Sequence, residues 1–191
     1  MLHYIYTRSP ISIILFAAAA LTAWGALPVC VSARRWRWGN LVLTPAAALT
    51  VLYATLLSRT EGAAGLVLTP FAALAAARVQ PEIYREMLMN VFLFFPLGLT
   101  LSGALPQGWR LRSRIALTTA VGCLLSAGIE CAQYRFSLGL AETDDVICNT
   151  LGALIGSASL LIARAIDTRK ERLRHTNLAL TAAEVQFVHI V

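Results

Sequence analysis

Ile129-Glu130-Cys-Ala-Gln133, a short polar link, and then Thr143-Asp144-Asp145-Val-Ile-Cys-Asn149-Thr150-Leu-Gly152-Ala-Leu-Ile-Gly156 form the stretch on which the rest of the chain depends. It lies between two apolar runs. A carboxylate, an amide, an acidic pair and an asparagine therefore fall at or just inside the edge of a bilayer. Ionisable groups are expensive there and mark function by default.

The surrounding composition agrees with that placement. The chain has 191 residues, of which 58% are hydrophobic and 14% charged, against about 25% charged in an ordinary soluble domain. The expected class is an all-α integral membrane protein. Its net charge of +6 reads as topology, because Lys and Arg are retained on the cytoplasmic side of membrane proteins. No nucleic-acid partner is expected: there is no helix-turn-helix pattern, RNA-binding signature or basic-aromatic stripe outside the loops that flank apolar runs.

The apolar runs predict about five transmembrane helices and one shorter segment. Ile11 to Val31 is longer than the hydrophobic part of a signal peptide and no clean A-x-A site follows it, so it reads as a membrane helix. Leu41 to Leu57 is the second span, preceded by the basic and aromatic cluster Arg34-Arg35-Trp36-Arg37-Trp38. Gly62 to Ala77 has 16 residues and is broken by Pro70. It is too short to cross comfortably and suits a re-entrant or interfacial segment. After the polar stretch Arg78 to Glu86, further spans run over Met87 to Leu105, Ile115 to Tyr134 and Val146 to Ala163. Residues 1–166 form one transmembrane domain and 167–191 a basic cytoplasmic tail.

Counting Lys and Arg on alternate sides of these five spans gives eleven against five. The richer side carries the tail, which places the C-terminus in the cytoplasm and the N-terminus outside. In that topology the third span enters from outside near Asn90. Glu130 lies roughly 22 Å along a hydrocarbon core roughly 30 Å thick. The fifth span begins inward at Asp145, with Asn149 one turn deeper on the same face. Asn90, Glu130, Gln133, Asp145 and Asn149 thus share one depth near the outer face. Glu130 and Asp145 are the candidate acid and base, since two carboxylates in different surroundings can divide those duties.

Other features read as packing. Gly152 and Gly156 have the small-xxx-small spacing that lets a neighbouring helix approach, and Pro96 with Gly98 reads as a tolerated kink. The cysteines Cys30, Cys123, Cys131 and Cys148 behave as small apolar residues, although Cys131 and Cys148 lie toward one membrane face. Ser126 precedes Glu130 by one turn and reads as a backbone-bonding serine rather than a nucleophile. No metal or cofactor is expected. The histidines His3, His175 and His189 lie near the termini, and there is no HExxH motif, G-x-S-x-G elbow or phosphate-cradling glycine loop.

With these residues in place, the chain resembles the VanZ-like family of bacterial membrane proteins over roughly residues 40 to 165. The resemblance rests on Leu68-Thr-Pro70-Phe71, Asn90-Val-Phe-Leu-Phe-Phe-Pro96-Leu-Gly98, Glu130-x-x-Gln133 and Asp144-Asp145-x-x-x-Asn149-Thr150-x-Gly152-x-x-x-Gly156. The family often carries an arginine just before the acidic pair, where this chain reads Leu138-Gly139-Leu140. Arg135, at the end of the preceding helix, is the residue placed to substitute. The resemblance implies the bacterial cytoplasmic membrane, the cell envelope as field of action and an association with resistance to the glycopeptide teicoplanin.

Two functions of different class remain open from the residues. One is an outward-facing polar site, with Glu130 and Asp145 as its chemistry and Asn90, Gln133, Arg135, Asp144 and Asn149 as binding groups. It would act on or bind a lipid head group or lipid-linked wall precursor. The other is a noncatalytic scaffold or accessory subunit that packs against a membrane protein partner and uses the polar set as an interhelical network. A transporter is less favoured, because five short spans show no repeat symmetry.

Overall fold

The computed structural model of the protein describes residues 31–57 and 65–162, together with isolated positions between 19 and 30 and between 164 and 173. Residues 32–160 form one compact unit. A second unit comprises residues 1–31 and 161–191 and is described mainly at helical positions 161–162, 164–166 and 168–170. The expected span Ile11 to Val31 and most of the basic tail lie outside the described residues.

Within the larger unit, helix α1 covers Ala33–Leu52 and runs into a π-helical turn, Tyr53–Leu57. A short strand β1, Gly65–Val67, is followed by a small helix α2, Ala72–Ala76. Then come α3, Pro81–Ala104, α4, Leu111–Arg135, strand β2, Leu140–Glu142, and α5, Thr143–Ser157. Four helices are long and apolar enough to cross a membrane: Arg34–Leu57, Pro81–Ala104, Leu111–Arg135 and Thr143–Lys170. At about 1.5 Å per residue, 24 residues reach roughly 36 Å, more than the hydrocarbon core requires. This is an all-α multi-pass membrane fold with one short interfacial helix.

Three boundaries differ from those expected. Helix α3 starts at Pro81 rather than Met87, because proline is favoured at the first helical position and Glu82 meets the positive end of the helix dipole. Helix α4 likewise gains a turn at its start, and α5 begins at Thr143, with both aspartates in its first turn. The segment Gly62 to Ala77 contains the strand as well as the short helix, and its described part does not cross. Strand β1 pairs in parallel with β2, Gly65 opposite Leu140 and Val67 opposite Glu142.

Helices α3 and α5 run parallel and in close contact, with α1 and α4 antiparallel to them. A Cβ at Gly152 would strike the Val91 carbonyl, one at Gly156 the Phe95 carbonyl, and one at Gly98 the Ala153 carbonyl. The small-xxx-small pair is therefore a seam where two backbones touch. Gly98 serves that seam, which gives it a reason beyond a kink. Around it, Val51, Phe94, Leu97, Ile129 and Ala153 form the buried core. All four cysteines are free thiols, so Cys131 and Cys148 are not joined.

Helix polarity gives the bundle two unlike ends. The start of α1, the end of α3 and the start of α4 meet at one. There Arg37 Nε donates to the Ala104 carbonyl at 3.2 Å and Arg114 to the Ser102 carbonyl at 2.6 Å, satisfying last-turn carbonyls of α3. Residues 32–41 and 104–114 carry six arginines and no acid. The opposite end, residues 65–86 and 130–145, carries six acids and three arginines.

Candidate functional site

The acidic end gathers most of the polar residues singled out in the sequence. Successive residues on a helix point about 100° apart, so Asp144 and Asp145 leave the first turn of α5 in different directions. Asp144 turns toward the segment before α2. Its two oxygens accept from the backbone N–H groups of Phe71 at 2.5 Å and Ala73 at 2.6 Å. Phe71 is in the left-handed region, with φ of 63°, a conformation in which two amides converge on one carboxylate. Asp144 is buried and caps α2 from another element, replacing the side-chain cap that α2 lacks.

Asp145 turns toward α3. Its Oδ1 accepts from Asn90 Nδ2 at 2.6 Å, and the residue is only half-buried. Asn90 and Asp145, expected at one depth, are in contact between α3 and α5. Glu130, buried near the end of α4, accepts from the backbone N–H of Glu142 at 3.0 Å. That holds the chain at the residue where α5 begins.

The remaining amides are used deeper or to the side. Gln133 Nε2 donates to the Thr55 carbonyl at 3.0 Å, tying α4 to the π-helical turn of α1. Asn149 Nδ2 lies 2.9 Å from Ser126 Oγ, a buried pair between α4 and α5. Arg135 is exposed at the end of α4 and makes no hydrogen bond or ion pair with another described residue. It does not take the place of an arginine beside the acidic pair. Its charge instead suits the negative end of its own helix.

Three participants had no prominent signal. Ser126, expected to bond a backbone carbonyl, meets the Asn149 side chain instead; Thr55 acts through its carbonyl, and Glu142 lies in the polar link without a motif of its own. The Leu68-Thr-Pro70-Phe71 motif was the one clue to the Asp144 contact. Glu142 is also where the local field shows most clearly. Burial pushes its carboxyl pKa above the ordinary value, and the charges of Asp144 and Glu86 push it further. Among the described residues, no three His, Cys, Asp or Glu side chains are arranged to hold a metal ion.

The seam glycines, the Asp144 cap and the Asn90–Asp145 pair account together for the motifs over residues 68–156. The VanZ/LLP1 family model matches residues 41–164, well over half the chain. This protein belongs to the VanZ/LLP1 family. A curated relative, Protein VanZ of Enterococcus faecium, is 34% identical over 97 residues, covering 48% of this chain and 49% of that protein. The chain thus matches about half the length of that relative. No solved structure matches. The VanZ-like chain is a multi-pass membrane protein.

Proposed function

We propose that the acidic end of this VanZ-like protein faces the outside of a bacterial cytoplasmic membrane and binds an envelope component there, a lipid head group or a lipid-linked wall precursor. The observation that carries the reading is the division of labour in the acidic pair. Asp144 is buried and engaged with two backbone amides, whereas Asp145 is half-buried and its carboxylate meets the Asn90 side chain of a neighbouring helix. A half-buried carboxylate positioned from a neighbouring helix can accept hydroxyl or ammonium groups of a ligand. Exposed Leu68, Phe71, Tyr84 and Met89 at the same end suit a ligand with an apolar anchor.

The six arginines of the opposite end support the orientation, since that end would be cytoplasmic. The C-terminus and the basic tail, residues 167–191, would then be inside and the N-terminus outside. In its stronger form the proposal makes Glu130 and Asp145 an acid–base pair, with Asn90 positioning Asp145 and Glu142 supplying a further protonatable group. The biological setting would be glycopeptide, and specifically teicoplanin, resistance.

The noncatalytic alternative has its own supporting observation. Asp144, Gln133 and Asn149 are all engaged in joining elements, as a scaffold that packs against a membrane partner requires. Cysteine probes at positions 145 and 90, in a variant without native cysteines, separate the two in intact cells. Labelling by an impermeant thiol reagent from outside supports the site. Protection of both positions in a folded protein refutes it.

A further inference from the structure

A polar concavity lies at the arginine-rich end, away from the acidic pair. Arg34, Arg37, Trp38 and Leu41 stand at spacings that share one face of α1. Gln107, from the turn between α3 and α4, closes the other side. Together they line a cavity of about 430 Å³. Arg37 is fixed there: its Nε is bound to the Ala104 carbonyl, which aims the guanidinium while its terminal nitrogens make no other hydrogen bond to a described residue. Arg34 makes no hydrogen bond or ion pair with a described residue. No Asp or Glu occurs in residues 32–41 or 104–114, so the two segments that line the cavity supply positive charge and no counterion of their own. Trp38 is 61% exposed beside it, the setting in which an indole sits at headgroup level.

We propose that this cavity is a binding site for the phosphate of an anionic phospholipid. Two guanidinium groups on one helix face present paired N–H donors that fit phosphate oxygens. The exposed Trp38 and Leu41 offer the start of the acyl region an apolar flank. Basic pockets between membrane helices take anionic headgroups in this manner. The occupant is a lipid rather than a free phosphate because the cavity opens beside the lipid-facing surface of α1, where Leu41 and Val42 are exposed.

The test is native mass spectrometry of the full chain in detergent, with phosphatidylglycerol and phosphatidylcholine of matched chain length competing. Phosphatidylglycerol is expected to be retained in preference, and Arg34→Gln to weaken it about tenfold, as loss of a charge-assisted hydrogen bond requires. Arg35→Gln removes the same charge from outside the cavity and is expected to cost less than about fivefold, the general surface contribution of one arginine. Arg34→Gln breaks no hydrogen bond to a described residue, so it remains informative if Arg37→Gln does not fold. Equal retention of the two lipids overturns the site. So do equal losses for Arg34→Gln and Arg35→Gln. Displacement of phosphatidylglycerol by an equal concentration of glycerol 3-phosphate overturns the assignment to a lipid.

Discussion

Asp144 and Asp145 are consecutive residues whose carboxylates serve different helices: one closes the amides of Phe71 and Ala73 at the start of α2, the other holds Asn90 of α3. A single acidic pair thereby joins the interfacial segment and the third helix to the start of the fifth. The two positions are expected to respond differently to substitution.

Asp144→Ala removes a buried acceptor of two backbone N–H groups and leaves both amides unsatisfied. A loss of about 3 kcal/mol is expected, seen as reduced thermal stability in detergent and reduced abundance in the membrane. Asp145→Asn keeps an oxygen for Asn90 and is expected to cost less stability than Asp144→Ala. Under the proposed function it nevertheless abolishes the resistance phenotype at normal abundance. Full resistance in Asp145→Asn would remove the role assigned to that carboxylate.

The seam between α3 and α5 predicts a contrast among glycines. Gly152→Ala places a methyl group against the Val91 carbonyl and is expected to cost about 1–3 kcal/mol, as overpacking does. Gly128→Ala meets nothing within 4 Å and is expected to raise stability by about 1 kcal/mol through helix propensity. Paired thermal melts decide this. Equal tolerance would mean that the helices are not in backbone contact.

Ser126 and Asn149 form a buried pair. In Ser126→Ala the asparagine amide loses this partner, at a cost of about 1–3 kcal/mol. Under the proposed function, resistance is expected to return once expression is raised to restore the protein level. Persistent loss of function at full abundance would instead give Ser126 a chemical role.

Glu142 carries a pH dependence. Its carboxyl pKa is raised in the folded protein by burial, and by Asp144 and Glu86, so folding favours the protonated form. The contribution to stability is fully present below the ordinary carboxylate pKa and is lost as pH rises through the folded value. Glu142→Gln is expected to flatten the melting temperature between those two values and to stabilise the protein above them. An unchanged pH profile in the variant would place the dependence on another group.

Hydropathy located the spans well because a bilayer imposes a length on any helix that crosses it. It missed the early start of α3, since Pro81, Glu82, Arg85 and Glu86 read as a loop until the helix dipole and the first-position preference for proline are considered. Strands of three residues, such as 65–67 and 140–142, are too short for an alternating pattern to show. Depth along a helix was enough to bring Asn90 and Asp145 together. The helical repeat puts Asp145 and Asn149 on one face, yet Asp145 meets α3 and Asn149 meets α4, while Asp144 is turned toward the backbone of another segment. Gln133 and Asn149 were found for the same reason of depth, while their partners Thr55 and Ser126 depended on which faces the packing turned inward.

The cap on α2 also fixes an order of events during synthesis. Phe71 and Ala73 are made long before Asp144, whose carboxylate lies 73 and 71 positions further along the chain. Until the last described span emerges and inserts, those two amides lack their acceptor and β1 lacks its partner strand. A nascent chain stopped after α4 would therefore present an unfinished surface at the membrane edge. The acidic pair closes that surface only when the final helix arrives.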